Sequence, residues 1–201
     1  MTFRDALAEQ RWDDHRYYHH SRINQSLHLV SAFGFLCAYA MLVVDPASAA
    51  LIGWVFAMPA RQIGHFFFEP RGYDAANQAT HEYKESIKVG YNLRRKVVLQ
   101  SVWALSPLLL MLDPTLLGVF RPHVTWLGFV RHVALIWLAV GVGAVAARTL
   151  QLMVIRGAQA GLAWCAKILT DPFHDIVLYH KAPSYLLRGE WVDPIVPHET
   201  V

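Results

Sequence analysis

The chain has 201 residues, 55% of them hydrophobic and only 16% charged, with mean hydropathy +0.28 and a formal net charge of +3. A soluble domain carries about 25% charged residues, and here the apolar excess is gathered into long runs. A soluble fold is therefore excluded, and a single all-α polytopic membrane domain with about four spans plus interfacial helices is expected.

Residues 1–26 are polar and aromatic and carry Arg4, Arg11, Arg16 and Arg22, the composition of a helix in the headgroup layer rather than of a cleaved signal. Residues 27–44 form the first membrane run, which has no charge and ends at Asp45-Pro46. Residues 48–68 form the second; Pro59 and Arg61 interrupt it, which predicts a kink and a polar lining toward its end. The polar connection over 70–96 opens on the turn signal Pro70-Arg71-Gly72, holds a helical stretch at 75–89 and ends on Arg94, Arg95 and Lys96. The third run, 97–112, contains Pro107, and the fourth, 124–147, carries Arg131 and His132 near its start. The tail, 156–201, is expected to hold a mildly amphipathic piece at 158–169, then Asp171-Pro172-Phe173-His174-Asp175 and a Pro-rich end.

Lys and Arg concentrate in the N-terminal segment, the middle connection and the tail. The positive-inside rule then predicts four spans with both termini cytoplasmic, facing inward from the inner membrane if the source is bacterial, and lipid-headgroup contacts for the basic flanks. No basic-aromatic stripe lies outside the membrane runs, so no nucleic-acid partner is expected. Cys37 and Cys165 make neither a disulfide framework nor a cysteine metal motif.

Nine of the eleven histidines fall on the same predicted face, although only Lys and Arg entered the topology. Polar side chains beside membrane-length runs are costly unless they have a partner. His20, Asn24 and His28 recur every fourth residue and share one face if the helix is continuous; His65 with Glu69, and His81 with Glu85, repeat that spacing. Neutral imidazoles and carboxylates suit iron, zinc and manganese. The candidate metal ligands are His19, His20, His28, His65, His81 and His174, with Glu69, Glu85, Asp171 and Asp175 as acceptors behind them. His19 and His20 are adjacent and cannot both face one way on a helix. Asn24 and Glu69 are the candidate catalytic side chains. Asn24 orients a ligand, binds substrate or bonds another helix; Glu69 ligates, orients His65, or pairs with Arg71, Lys84 or Lys88. His15 reads as solvated or interfacial, and His123, His132 and His198 as non-ligands.

Tyr18-His19-His20-Ser21-Arg22-Ile23-Asn24 followed by His28, and Gln62-Ile63-Gly64-His65 followed by Glu69, resemble the two signatures of the fungal 2-hydroxy fatty acid dioxygenase family, small multi-spanning membrane proteins with bacterial relatives. The resemblance covers mainly residues 17–34 and 60–70; after Glu69 the chain reads Pro70-Arg71-Gly72-Tyr73 where the family has a short basic-Pro-Ala sequence. It implies a non-haem Fe(II) enzyme that uses O2 to shorten a 2-hydroxy long-chain fatty acid by one carbon. It also implies His19 or His20, His28 and His65 as iron ligands. Fe(II) is then the expected cofactor, and O2 and a fatty acyl or other lipid are the expected partners, with Arg61 or Arg71 pairing the substrate carboxylate. The residues leave the oligomeric state open. Two alternatives stand beside this reading. One is a di-metal lipid hydroxylase or desaturase, although the chain lacks dense His-x-x-His-His boxes. The other is a non-enzymatic transport or scaffold protein in which Arg61 lines a solute path.

Overall fold

The computed structural model describes residues 2–69 and 71–194; Pro70 of the turn signal and His198 of the tail lie outside them. Among the described residues the regular structure is helical, in the order α1 (Phe3–Tyr18), α2 (Arg22–Leu42), α3 (Pro46–Leu51), a π-helical segment (Ile52–Ala57), α4 (Met58–Phe67), α5 (His81–Ile87), α6 (Leu93–Leu105), α7 (Pro107–Leu112), α8 (Trp126–Arg156), α9 (Ala158–Tyr179) and α10 (Ala182–Leu187). Three helical stretches are long and apolar enough to cross a membrane: Arg22–Leu42, Leu93–Leu112 and Trp126–Arg156. The chain is an all-α polytopic membrane protein.

The run expected over 48–68 is a continuous helical path built in three pieces. Pro59 is the physical reason. Proline brings no N–H, and its ring crowds the carbonyl four residues back, which a wider helical register relieves. The Met58 N–H accordingly reaches the Gly53 carbonyl, five residues back, just before the proline. Asp45 caps α3 through the Ala47 N–H and receives a two-pronged bond from Arg131 at 2.8 and 2.9 Å, which ties the α2–α3 turn to α8. The path then returns antiparallel to α2. Small residues let the two approach: a Cβ on Gly34 would lie 2.8 Å from Phe56 Cδ1, and one on Gly64 only 2.1 Å from Asn24 Oδ1. The hairpin brings the start of α2 beside the end of α4.

Two indole N–H groups inside the bundle find carbonyl partners, while that of Trp103 is buried without one. Trp54 donates to the Trp137 carbonyl at 2.7 Å, and Trp137 donates to the Trp103 carbonyl at 3.0 Å, joining the π segment, α8 and α6. Helix α8 has 31 residues, so it runs about 46 Å, well past a ~30 Å hydrocarbon core. Its extra length carries Arg148, which is buried and donates to the Val89 carbonyl through Nε and Nη2, pinning the 88–92 connection.

The tail differs most from the sequence expectation. The piece at 158–169 does not end before Asp171-Pro172 but continues as the 22-residue α9, which packs on α1, α2 and α8. Pro172 sits inside the helix. Lys167 and Asp171, one turn apart at 2.8 Å, tie together the helical turn just before the proline. Gly161 seats α9 on α8; a Cβ there would lie 2.7 Å from the Thr149 carbonyl.

Candidate metal centre

The N-terminal helix does not run on into α2. It ends at His19, and Ser21 caps a new helix by accepting the Asn24 N–H. The bend is fixed from both sides. Asn24 Nδ2 donates to the Tyr18 carbonyl at 2.9 Å, and Gln25 Nε2 to the His19 carbonyl at 2.8 Å. Residues 191–193 close over it, with the Arg22 N–H donating to the Trp191 carbonyl and the Asp193 N–H to the His20 carbonyl. This break decides between two adjacent histidines. His19 turns inward and is 1% exposed; His20 turns away, against the Arg16 carbonyl, and lies 3.3 Å from Asp74. The shared face expected for His20 and His28 therefore does not form, because the helix that would carry both is interrupted at residues 19–21.

His19, His28 at the start of α2 and His65 at the end of α4 converge. Each offers one ring nitrogen, and these atoms lie within 4.8 Å of one another. The ring centroids are 4.2 Å (His19–His28), 4.9 Å (His28–His65) and 5.3 Å (His19–His65) apart. Among the described residues this is the one cluster of three or more such groups with that geometry.

The hydrogen bonds fix which nitrogen faces the centre. His19 Nδ1 lies 2.8 Å from the Asp14 carbonyl oxygen, which only accepts, so Nδ1 carries the proton. His28 Nδ1 faces Asp175 Oδ2 at 3.4 Å, and His65 Nδ1 faces Glu69 Oε2 at 2.8 Å. His19 and His65 thus give Nδ1 to an acceptor, and His28 turns Nδ1 toward the Asp175 carboxylate without closing a hydrogen bond; a proton on each Nδ1 leaves Nε2 as a lone pair, the tautomer that an outer acceptor sets for a metal ligand. His19 Nε2 and His28 Nε2 stand 3.1 Å apart. Two lone pairs at that distance repel. A proton between them is disfavoured at His19, where burial and then the neighbouring His28 hold the ring well below its ordinary value, against the pull of Asp14 and Asp175. A metal cation turns the same contact into ligation. Nitrogens ~2.1 Å from one ion lie about 3.0 Å apart at right angles and about 3.4 Å apart at a tetrahedral angle, and the observed separation falls between.

Behind the rings lies a charged layer. Asp175 also takes Arg61, whose other arm is 3.7 Å from Asp171, and Lys167 bridges Asp171 at 2.8 Å and Asp14 at 3.0 Å. Burial, the largest single influence, would raise the Asp14 carboxyl; the charge and hydrogen bond of Lys167 together with nearby His19 and His28 outweigh it and hold the group well below the usual carboxylate range. Lys88 bonds Glu69 at 3.1 Å and Glu85 at 3.3 Å and sits 3.7 Å above the Tyr18 ring. Glu69 is accordingly an orienter of His65 and a partner of Lys88.

The remaining candidates fall outside the cluster. His81 lines a small pocket with His65, Glu69 and Glu85, one layer out. His174 is half-buried on α9 and takes no part in the convergence. Arg61 is committed to Asp171 and Asp175, away from the role expected of it, and Arg71 is exposed and donates one N–H to the Phe66 carbonyl. Asn24 is fully buried with Oδ1 unbonded, aimed at Gly64 next to His65. His15 of α1, expected in a solvated or interfacial place, is buried against α9 with Tyr179 Oη 3.3 Å from its Nδ1. Asp14, Lys167 and Tyr179 were not singled out from sequence. The four-residue spacing of Lys167, Asp171 and Asp175 is the sign that one charged helix face crosses Pro172.

A cavity of about 200 Å³ reaches from His65, Lys88 and Lys96 toward Trp54, Leu99 and Trp164. It joins the centre to apolar space between the helices. Comparison with family models, with curated proteins and with solved structures returned no match to this chain.

Proposed function

We propose that the protein is a membrane-embedded, histidine-ligated Fe(II) oxygenase acting on 2-hydroxy long-chain fatty acids. The observation that carries this reading is the 3.1 Å approach of the His19 and His28 Nε2 atoms, with His65 beside them and an acceptor facing Nδ1 of every ring. Three neutral imidazoles fit iron, which leaves coordination positions for small ligands when bound and supplies O2 chemistry there. An all-histidine set also suits zinc, and the signature resemblance of residues 17–34 and 60–70 is what favours iron.

The chain's own groups serve the site in separate ways. His19, His28 and His65 hold the ion. Asp14, Asp175 and Glu69 fix the tautomers. The cavity walls at Trp54, Leu99 and Trp164 accept an acyl chain and exclude water from it. The proposed reaction balances without a separate reductant: a 2-hydroxy acid and O2 give the acid one carbon shorter, carbon dioxide and water. The centre lies at the end of the bundle where Lys and Arg concentrate, which we assign to the cytoplasmic side. A single three-histidine cluster among the described residues favours one metal over the di-metal alternative.

The test is product analysis. Fe(II)-loaded protein with 2-hydroxyhexadecanoic acid under O2 should yield pentadecanoic acid with matching O2 uptake, and the His28→Ala variant should give neither. Metal-loaded protein that leaves the acid intact and consumes no O2 would overturn the substrate assignment.

A further inference from the structure

Five cations line the large cavity or the small pocket beside His65 and Glu69, and four of them are taken. Arg61 is held by Asp171 and Asp175, Lys167 by Asp14 and Asp171, Lys88 by Glu69 and Glu85, and Arg71 by the Phe66 carbonyl. The fifth is Lys96. Among the described residues its ammonium makes no hydrogen bond and no ion pair. Lys96 lines both spaces, so it stands where the apolar cavity meets the polar pocket that His65 also lines.

Its position is unfavourable on local grounds. It lies in the first turns of α6, next to Arg94 and Arg95, where the helix dipole opposes positive charge. It also opens a stretch apolar enough to span a membrane. The nearby carboxylates already have other partners: Glu69 has His65 and Lys88, and Glu85 has Lys88 and the Leu93 N–H. A lysine serving only as a headgroup anchor would extend its ammonium toward the lipid surface; this one lines an internal cavity that also reaches His65.

We propose that Lys96 is the anion-recognition residue of the cavity, binding the carboxylate of a long-chain acid whose tail lies toward Trp54 and Trp164. It takes the role expected of Arg61 or Arg71; Arg61 is ion-paired to Asp171 and Asp175, and Arg71 is exposed and does not line the apolar cavity. The inference rests on reading the cavity as the substrate chamber of the histidine centre. One charge-assisted contact in a water-poor site gives head-group selectivity of about tenfold to hundredfold.

The test measures equilibrium binding of radiolabelled hexadecanoic acid and hexadecanol to the full chain in detergent, for wild type, Lys96→Met and Lys96→Arg, with iron content determined on the same samples. Wild type should prefer the acid at least tenfold. Lys96→Met should lose that preference by weakening acid binding alone, with alcohol binding and iron content unchanged, and Lys96→Arg should restore it. Equal acid binding by wild type and Lys96→Met would overturn the proposal. So would parallel loss of acid and alcohol, which marks a structural role, and so would a wild type that binds neither. The iron arm separates the two readings. Acid selectivity that depends on Lys96 in a protein refusing Fe(II) sinks the oxygenase and leaves the anion site. Iron-loaded protein indifferent to Lys96→Met does the reverse.

Discussion

Each imidazole of the centre turns Nδ1 toward an oxygen, and the Nε2 atoms of His19 and His28 meet inside, so the outer acceptors are as much part of the site as the rings. Glu69 is the most accessible to test. It bonds His65 at 2.8 Å and is held by Lys88. Glu69→Gln keeps the shape but weakens the acceptor, and metal affinity should fall about 10- to 100-fold without the loss of fold that circular dichroism would register. Unchanged affinity in a metal titration would mean that Glu69 serves only Lys88. His28 and His65 were legible in the sequence because an imidazole beside a membrane-length run needs a partner. His19 against His20 was not. That choice depends on a helix break at residues 19–21, whose bonds come from Trp191 and Asp193 far along the chain.

Elements meet at the site through close backbone approach and through one charged helix face. Gly64 leaves room for Asn24, and a Cβ there would overlap Oδ1 at 2.1 Å. Gly64→Ala should cost about 1–3 kcal/mol and loosen His28 and His65 together, seen as a lower unfolding midpoint and reduced metal retention. Full stability and full retention would show that α2 and α4 slide apart freely. Lys167 is buried between Asp14 and Asp171. Lys167→Met leaves Asp14 without its cation and Asp171 with only the longer Arg61 contact, at a cost of about 3–5 kcal/mol in denaturant unfolding; a change below 1 kcal/mol would contradict the buried pair. The long α9 was missed because Asp-Pro and three charges resemble a tail. Paired with one another and with Arg61, those charges instead make the layer behind the centre.

At the scale of the whole molecule, the α2–α4 hairpin joins residues 28 and 65, the α1–α2 bend turns in His19, and α9 supplies Asp175. The membrane runs were readable because apolar length is a local property. The pieces of the second run, the extra length of α8 and the docking of α9 depend on partners that no single stretch displays. All of them position three nitrogens around one point. The central claim is therefore tested most directly by elemental analysis of Fe(II)-loaded protein after removal of free metal. Iron near one per chain is predicted for wild type and for His20→Ala, and loss of it in His19→Ala, His28→Ala and His65→Ala. Wild-type protein that refuses Fe(II), or a His20→Ala variant as metal-free as the other three, would contradict the account.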